Sequence, residues 1–295
     1  MIDTHSTFWP GARPSRPGDS TQGDRAPPPH PASSAVRNSA APFDPYGHNG
    51  AMPIAAEPSA PSRTELVDHL VRTRIAGDVA TPRELSMCIR DEQDVLAVMA
   101  ERCGVSDDPH HRQGQDTIDP ELTVDALERA AAVLRKAAAG RHRVLFATGH
   151  PGGLLDVHRM TAQALRAKGC EIMTVPGVLA AEDGLVVQFA DVAVLERGAT
   201  LWHTHSPAPM SAILDQLERD GAPQPDLVMA DHGWAGCAGQ RGIDTIGFAD
   251  CNDPALFLGE AEGTLQVTIP LDDHVVSPRY YDPLTAYLLN AAELA

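Results

Sequence analysis

From Arg143 onward the chain alternates two patterns. Short runs of consecutive apolar residues are separated by longer stretches in which apolar residues recur every three or four positions. The runs at 144–148, 171–175, 186–189, 191–195, 200–203, 227–230, 245–248 and 265–269 read as buried strands. The stretches at 153–168, 208–219, 234–241 and 254–258 read as helices, with a closing helix at 280–294. This alternation predicts an α/β fold, a Rossmann-like, mostly parallel sheet with helices on both faces. Residues 186–195 are too closely spaced for a crossover and suggest an antiparallel excursion.

Before Arg143 the pattern is helical. Ser62 and Glu65 form a capping box, and Leu66, Leu70 and Ile75 supply an apolar face that ends near Gly77. A second helix is expected at 91–103, stopped by Gly104, and a third at 120–139 behind Pro120. Residues 107–119 read as a polar loop. The first 61 residues follow neither period and carry twelve of the 25 prolines, so they are expected to be disordered. They lack the apolar segment of a secretory signal, and they carry too many acids for a transit peptide. Met52, just ahead of the first helix, suggests a start site placed too early. The expected organisation is a tail at 1–61 and one α/β domain at 62–295, helical over 62–140 and built on the sheet over 141–295.

The formal net charge of −17 lies almost entirely in that domain, since the tail has four Arg against five acids. A strongly acidic domain argues against nucleic-acid binding and against anionic membranes, both of which need a basic footprint. No apolar run approaches the ~20 residues of a membrane span. Cysteines at 88, 103, 170, 237 and 251 form no CxxC pair. Reduced thiols in a cytoplasmic protein are the expected state.

The chemistry is concentrated where the predicted strands end. Gly149, His150, Gly152 and Gly153 follow the first strand and open a helix, a setting in which backbone N–H groups and the helix dipole attract an anion such as phosphate. A tight turn without a ligand is the alternative. No Gly-Lys-Ser/Thr or GxGxxG pattern is present there. His203 and His205 fall two apart on an extended segment and so face one side, where both can serve one metal or anion; Ser206 is a helix cap rather than a nucleophile. Asp231 and His232 precede a Gly turn and suit a hard cation or a general base, with Trp234 either lining a pocket or packing in the core. Asp250 and Asp253 offer two more carboxylates, although Asp253 also suits a helix cap, and Cys251 reads as a small buried residue. Asp272, Asp273 and His274 are either a last contribution or a surface turn. In an open α/β sheet ligands bind outside the carboxyl ends of the strands, so these clusters predict one shared site.

At these residues the chain resembles a family of actinobacterial proteins named simply phosphatases. The phrases 145–155 (LFATGHPGGLL) and 228–237 (VMADHGWAGC) carry the resemblance, which extends over 62–83 and 91–294. Between Arg83 and Asp91 the family has a longer segment, replaced here by residues 84–90. The resemblance implies phosphate-ester hydrolysis. With the residues it leads to a hydrolase that removes phosphate from a small phosphorylated metabolite. Gly149, Gly152, Gly153, His203 and His205 would bind the phosphate, and His150, Asp231 and His232 would act in catalysis. Asp231, Asp250 and Asp253 would hold a divalent metal, expected to be Mg²⁺ because carboxylates alone repel a dianionic ester. The alternatives are a non-catalytic sugar-phosphate or nucleotide binding protein, and a His/Asp-dependent lyase or isomerase on the same fold.

Overall fold

Parallel pairing of four strands, one from 143–148 and three from 227–270, fixes the centre of the sheet. The computed structural model describes residues 59–82, 92–275 and 277–295. The expected tail up to residue 58 and the replaced segment at 84–90 lie outside the described residues. β3 (Arg143–Thr148), β9 (Leu227–Asp231), β10 (Asp244–Ala249) and β11 (Val267–Pro270) lie side by side and parallel. Each is buried almost end to end, as expected for strands covered on both faces. On the other flank of β3, its first residues pair with β4 (Glu171–Ile172) and its last three with β7 (Val192–Arg197), again in parallel.

The order β4-β3-β9-β10-β11 reverses direction beside β3. Right-handed crossovers then place α4 (Leu155–Ala167), between β3 and β4, on one face. They place α6 (His232–Gln240) and α7 (Ala255–Ala261) on the other. The contacts agree. α4 packs on β3 and β7 and against α3 (Pro120–Gly140) and α8 (Asp282–Ala291), whereas α6 packs on β9 and β10 and against α7 and α5 (Ala208–Arg219). Where the order reverses, the two neighbouring connections leave in opposite directions and open a crevice above the carboxyl ends of β3 and β9.

The sheet is mixed. β5 (Leu179–Ala181), β6 (Gly184–Phe189), β7 and β8 (Thr200–Trp202) form an antiparallel meander, longer than the excursion expected at 186–195. Its direction corrects one expectation. β8 does not run with the parallel strands but returns along the end of β7, pairing Trp202 with Leu195 just beyond the Thr148–Val194 pair. The β7–β8 hairpin therefore overshoots β3, and the chain after Trp202 comes back down onto the edge where β3 ends. The Thr204 amide donates to the Gly149 carbonyl at 3.0 Å.

The part before Arg143 is not wholly helical. α1 (Arg63–Thr73) has the capping box, and α2 (Glu92–Cys103) and α3 follow as expected. Between them β1 (Gly77–Pro82) and β2 (Gln115–Ile118) pair antiparallel, and β2 replaces the end of the expected polar loop. Neither strand shows a long enough alternation to be read locally. This part packs onto β11 and fixes the chain beyond that strand. The Ile75 carbonyl accepts the Asp272 amide at 2.8 Å, Thr123 Oγ1 donates to the Pro270 carbonyl at 2.8 Å, and the Tyr281 hydroxyl donates to the Asp272 carbonyl at 2.7 Å. Among the described residues no helix is long and apolar enough to cross a membrane.

Candidate functional site

Thr148, at the end of β3, starts the construction. Its hydroxyl donates to Asp231 Oδ2 at the end of β9 and accepts the His150 amide at 2.9 Å. Asp231 Oδ1 takes the Gly149 amide at 2.8 Å and faces His150 Nδ1 at 3.4 Å. Asp231 is fully buried, and burial alone would raise its carboxyl; the His150 contact and the imidazoles of His232 and His158 outweigh this and hold it below its ordinary range. With Nδ1 directed at a carboxylate, a neutral His150 presents the Nε2 lone pair outward. Nε2 lies 3.1 Å from His205 Nε2 and 3.7 Å from Asp273 Oδ1.

His232 occupies the turn from β9 into α6 with φ +40, a left-handed backbone that a residue with a side chain adopts only when its surroundings force it. Gly233 lies so close to the His205 carbonyl and to Ser206 and Pro207 that it has no room for a Cβ. The His232 ring is clamped between two carboxylates, Nδ1 to Asp253 Oδ2 at 2.7 Å and Nε2 to Asp273 Oδ2 at 2.6 Å. Burial would lower this imidazole, but Asp273 and Asp253 overcome it and raise its pKa well above the ordinary value. The same contacts hold both partners low: burial, which would raise Asp273 and Asp253, loses to the His232 charge.

The loops after β8 and β11 close the site. The rings of His203 and His205 lie 4.3 and 4.9 Å from that of His150, so the pair does face one side. Burial lowers both; in His205, burial together with His232 and His150 brings the pKa to about 4. His274 contacts Asp273 Oδ1 at 3.2 Å and Asp250 Oδ2 at 3.5 Å and is raised, chiefly by Asp273. Asp250 is buried next to Asp273, and burial together with that neighbour pushes it up to about 6. Asp250 Oδ2 and Asp273 Oδ1 are buried and accept no hydrogen bond.

A cavity of about 260 Å³ opens here, lined by His150, Gly152, Gly153, Leu201, His203 and His274 among others, and by no Lys or Arg. A larger cleft of about 950 Å³ lies at the opposite ends of the strands around Arg143, Asp226 and Asp244. Its arginines are spent on ion pairs, Arg143 with Asp226 and Arg241 with Asp215, and it is far from the histidines. Size does not make it the chemical site.

The sequence-predicted residues are thus brought together, but in unequal roles. His150, His203, His205, His232, Asp250 and Asp253 converge, with ligating atoms of His150, His203, His205 and His274 within 4.8 Å of one another. Similar groups form from His150, His232 and Asp273, from His205, His232 and Asp253, and from Asp250, Asp273 and His274. These His and Asp side chains, buried except for His203, His205 and His274, can hold a metal ion. Asp231 is in none of these groups and sits behind His150. The amides of Gly149 and Gly153 are used internally, by Asp231 and by the His150 carbonyl, while nothing lies within 4 Å of a Cβ built on Gly152. Trp234 is fully buried and lines neither of these two cavities. Cys251 is buried, and burial raises its thiol. Asp253 both caps α7, through the Ala255 amide, and holds His232.

Sequence reasoning gives too little weight to two residues. Asp273 and His274 are open to reading as a surface turn, yet Asp273 is buried at the centre of the cluster. The Asp-Asp-His triplet after a buried strand is the available signal. His158 has none. It is buried on α4 beside Phe146 and Phe248, 3.9 Å from Asp231, and burial lowers it to about 4.

The comparisons with known proteins identify the family. The family described as Phosphatase matches residues 86–295. A Streptomyces coelicolor protein named as a phosphatase is 67% identical over 264 residues, covering 82% of this chain and all of the relative. Matched at both levels over most of its length, the chain belongs to this actinobacterial phosphatase family of enzymes.

Proposed function

We propose that the enzyme hydrolyses the phosphate ester of a small metabolite in the cavity walled by the segments after β3, β8 and β11, on a single domain spanning 62–295 in a cytoplasmic protein, with a divalent metal ion held by the His/Asp cluster. The observation that carries this reading is the donor set. Buried carboxylate oxygens without hydrogen bonds face imidazole nitrogens around a cavity that has no Lys or Arg. A buried charge needs a partner, and these oxygens face imidazoles whose place a divalent cation can take. Bound there, a divalent ion would neutralise phosphoryl charge and lower the pKa of water. The nitrogen-rich set favours Mn²⁺, Fe²⁺ or Zn²⁺ over the Mg²⁺ that sequence reasoning suggested, because Mg²⁺ prefers oxygen donors.

The chain's own groups divide the proton work. Asp231 holds His150 with Nε2 toward the cavity. His203, lowered by burial, is neutral near pH 7 and can accept a proton from the attacking water and return it to the departing alcohol. His232, with both nitrogens engaged, positions Asp253 and Asp273 and does not contact substrate. With the Gly149 and Gly153 amides spent, phosphate recognition falls to the histidines and the ion, and Gly152 leaves the wall open.

Phosphate release from sugar phosphates, nucleotides and an aryl phosphate, with Mg²⁺, Mn²⁺, Zn²⁺ or EDTA, tests the reading. Metal-dependent release that falls at least a hundredfold in His150→Ala is expected. Silence of the folded chain across the panel would overturn it and favour a non-catalytic binder of phosphorylated ligands.

A further inference from the structure

We infer that the cluster is a centre for two metal ions, an inference that deepens the proposed function and rests on it. Of the converging groups, His205, His232 and Asp253 share no residue with Asp250, Asp273 and His274, so both can be filled at once. In the first, Asp253 Oδ2 lies 2.7 Å from His232 Nδ1 and 3.7 Å from His205 Nδ1. In the second, His274 Nδ1 lies 3.2 Å from Asp273 Oδ1 and 3.5 Å from Asp250 Oδ2. Ligands bound at about 2.0–2.2 Å to one ion stand roughly 3–3.5 Å apart, so each group is already near that spacing.

The carboxylate oxygens that lack a hydrogen bond lie together at one end of the cluster, beside His274. Asp250 Oδ2 and Asp273 Oδ1 are buried, accept no hydrogen bond, and both belong to the second group. The two groups are also joined. His232 Nε2 meets Asp273 Oδ2 at 2.6 Å. A histidine that gives Nδ1 to one ion and Nε2–H to a carboxylate of the other supplies the outer hydrogen bond that ligating histidines require. His150 Nε2 stands between the groups, 3.1 Å from His205 and 3.7 Å from Asp273.

Charge points the same way. Asp231, Asp250, Asp253 and Asp273 are all buried within this small volume. One divalent ion would leave the four carboxylates net anionic, opposed to an anionic ester; two offset them. The first group has two imidazoles and one carboxylate and the second one imidazole and two carboxylates, so the first should hold the softer ion more tightly.

The test is metal counting on the full chain. The protein is stripped with a chelator, reloaded with Mn²⁺ and desalted, then read by elemental analysis, low-temperature EPR and thermal melting. Two Mn per chain, a spin-coupled EPR signal and a raised melting temperature are expected. Asp253→Asn and Asp250→Asn should each keep one Mn and lose the coupling. One Mn or fewer per wild-type chain with only an isolated six-line spectrum would overturn the inference, and needs no variant to fold. Phosphate release by such a one-ion protein would leave the proposed function standing. A two-ion protein silent on the substrate panel would instead support the two-ion centre and overturn the hydrolase.

Discussion

Asp231→Asn is the perturbation that separates a carboxylate acting behind His150 from one acting at the substrate. The wild-type carboxylate receives Thr148 Oγ1 on one oxygen, and the Gly149 amide and His150 Nδ1 on the other. The Gly149 amide can only donate, so the Asn oxygen must stay on that side. The new NH₂ then points at Thr148 Oγ1, which already accepts the His150 amide. Two donors crowd one hydroxyl, whose own proton loses its acceptor, and His150 faces a neutral amide. A hydrogen bond to a buried charge contributes about 1.5–3 kcal/mol. Losing one and weakening another should cost about 2–3 kcal/mol, a fall in melting temperature of roughly 4–12 °C for a domain of this size. The His150 ring also loses its tautomer lock, and outer-shell losses of this kind typically reduce activity about 10–100-fold. Circular-dichroism melting and phosphate release from an aryl phosphate read the two effects. Thr148→Val keeps the charge but removes the hydroxyl, and should show the same two effects at a smaller size. A melting temperature within about 2 °C of wild type together with an unchanged rate would refute the argument that Asp231 orients His150.

Gly233→Ala should lower stability by about 1–3 kcal/mol and also reduce activity, because its Cβ meets the His205 carbonyl and must push the His203–Ser206 segment away; equal melting curves would contradict it. In chelator-treated protein, Asp250 is raised to about 6, so its contribution is full below the ordinary carboxylate pKa near 4 and is lost as pH rises through 6. Asp250→Asn should therefore stabilise the metal-free chain at pH 7 more than at pH 4, as denaturant titrations at the two values will show. Asp226 behaves oppositely: the hydrogen bond from Arg143 lowers it to about 2, so the pair stabilises above about pH 4 and fades as pH falls toward 2. Because the pair is partly exposed, Arg143→Met should have only a small cost at pH 7 and a smaller one at pH 2, read as shifts in urea midpoint. Ser62→Ala should cost α1 about 1 kcal/mol by removing the oxygen that accepts the Glu65 amide, measurable as a shift in urea midpoint.

The local elements were legible in the chain. Strand and helix periods, the Ser62 capping box and the polar residues after β3, β9 and β10 depend on neighbours within a few positions. A parallel sheet with sequential strands carries those ends to one edge with no further information. The pairing of distant segments was not legible, because no local period encodes it. β8 looked like one more strand running into the site, but its hydrogen bonds to the end of β7 turn it round and bring His203 and His205 in from above. β1 and β2 are too short to show alternation and exist through each other. Sequence supplied Asp231 and His232 as one motif, and the strand-to-helix turn split them. Asp231 faces back toward Thr148 and His150, and His232, at φ +40, faces Asp253 and Asp273. Asp273 became central only when the Ile75, Thr123 and Tyr281 hydrogen bonds anchored the chain around Pro270 and Asp272. Composition along the chain determined that imidazoles and carboxylates would meet at one sheet edge. Which of them share an ion, and which only hold another in place, depends on distances of 3 to 4 Å between residues as far as 123 positions apart, such as His150 and Asp273, and only tertiary packing sets those.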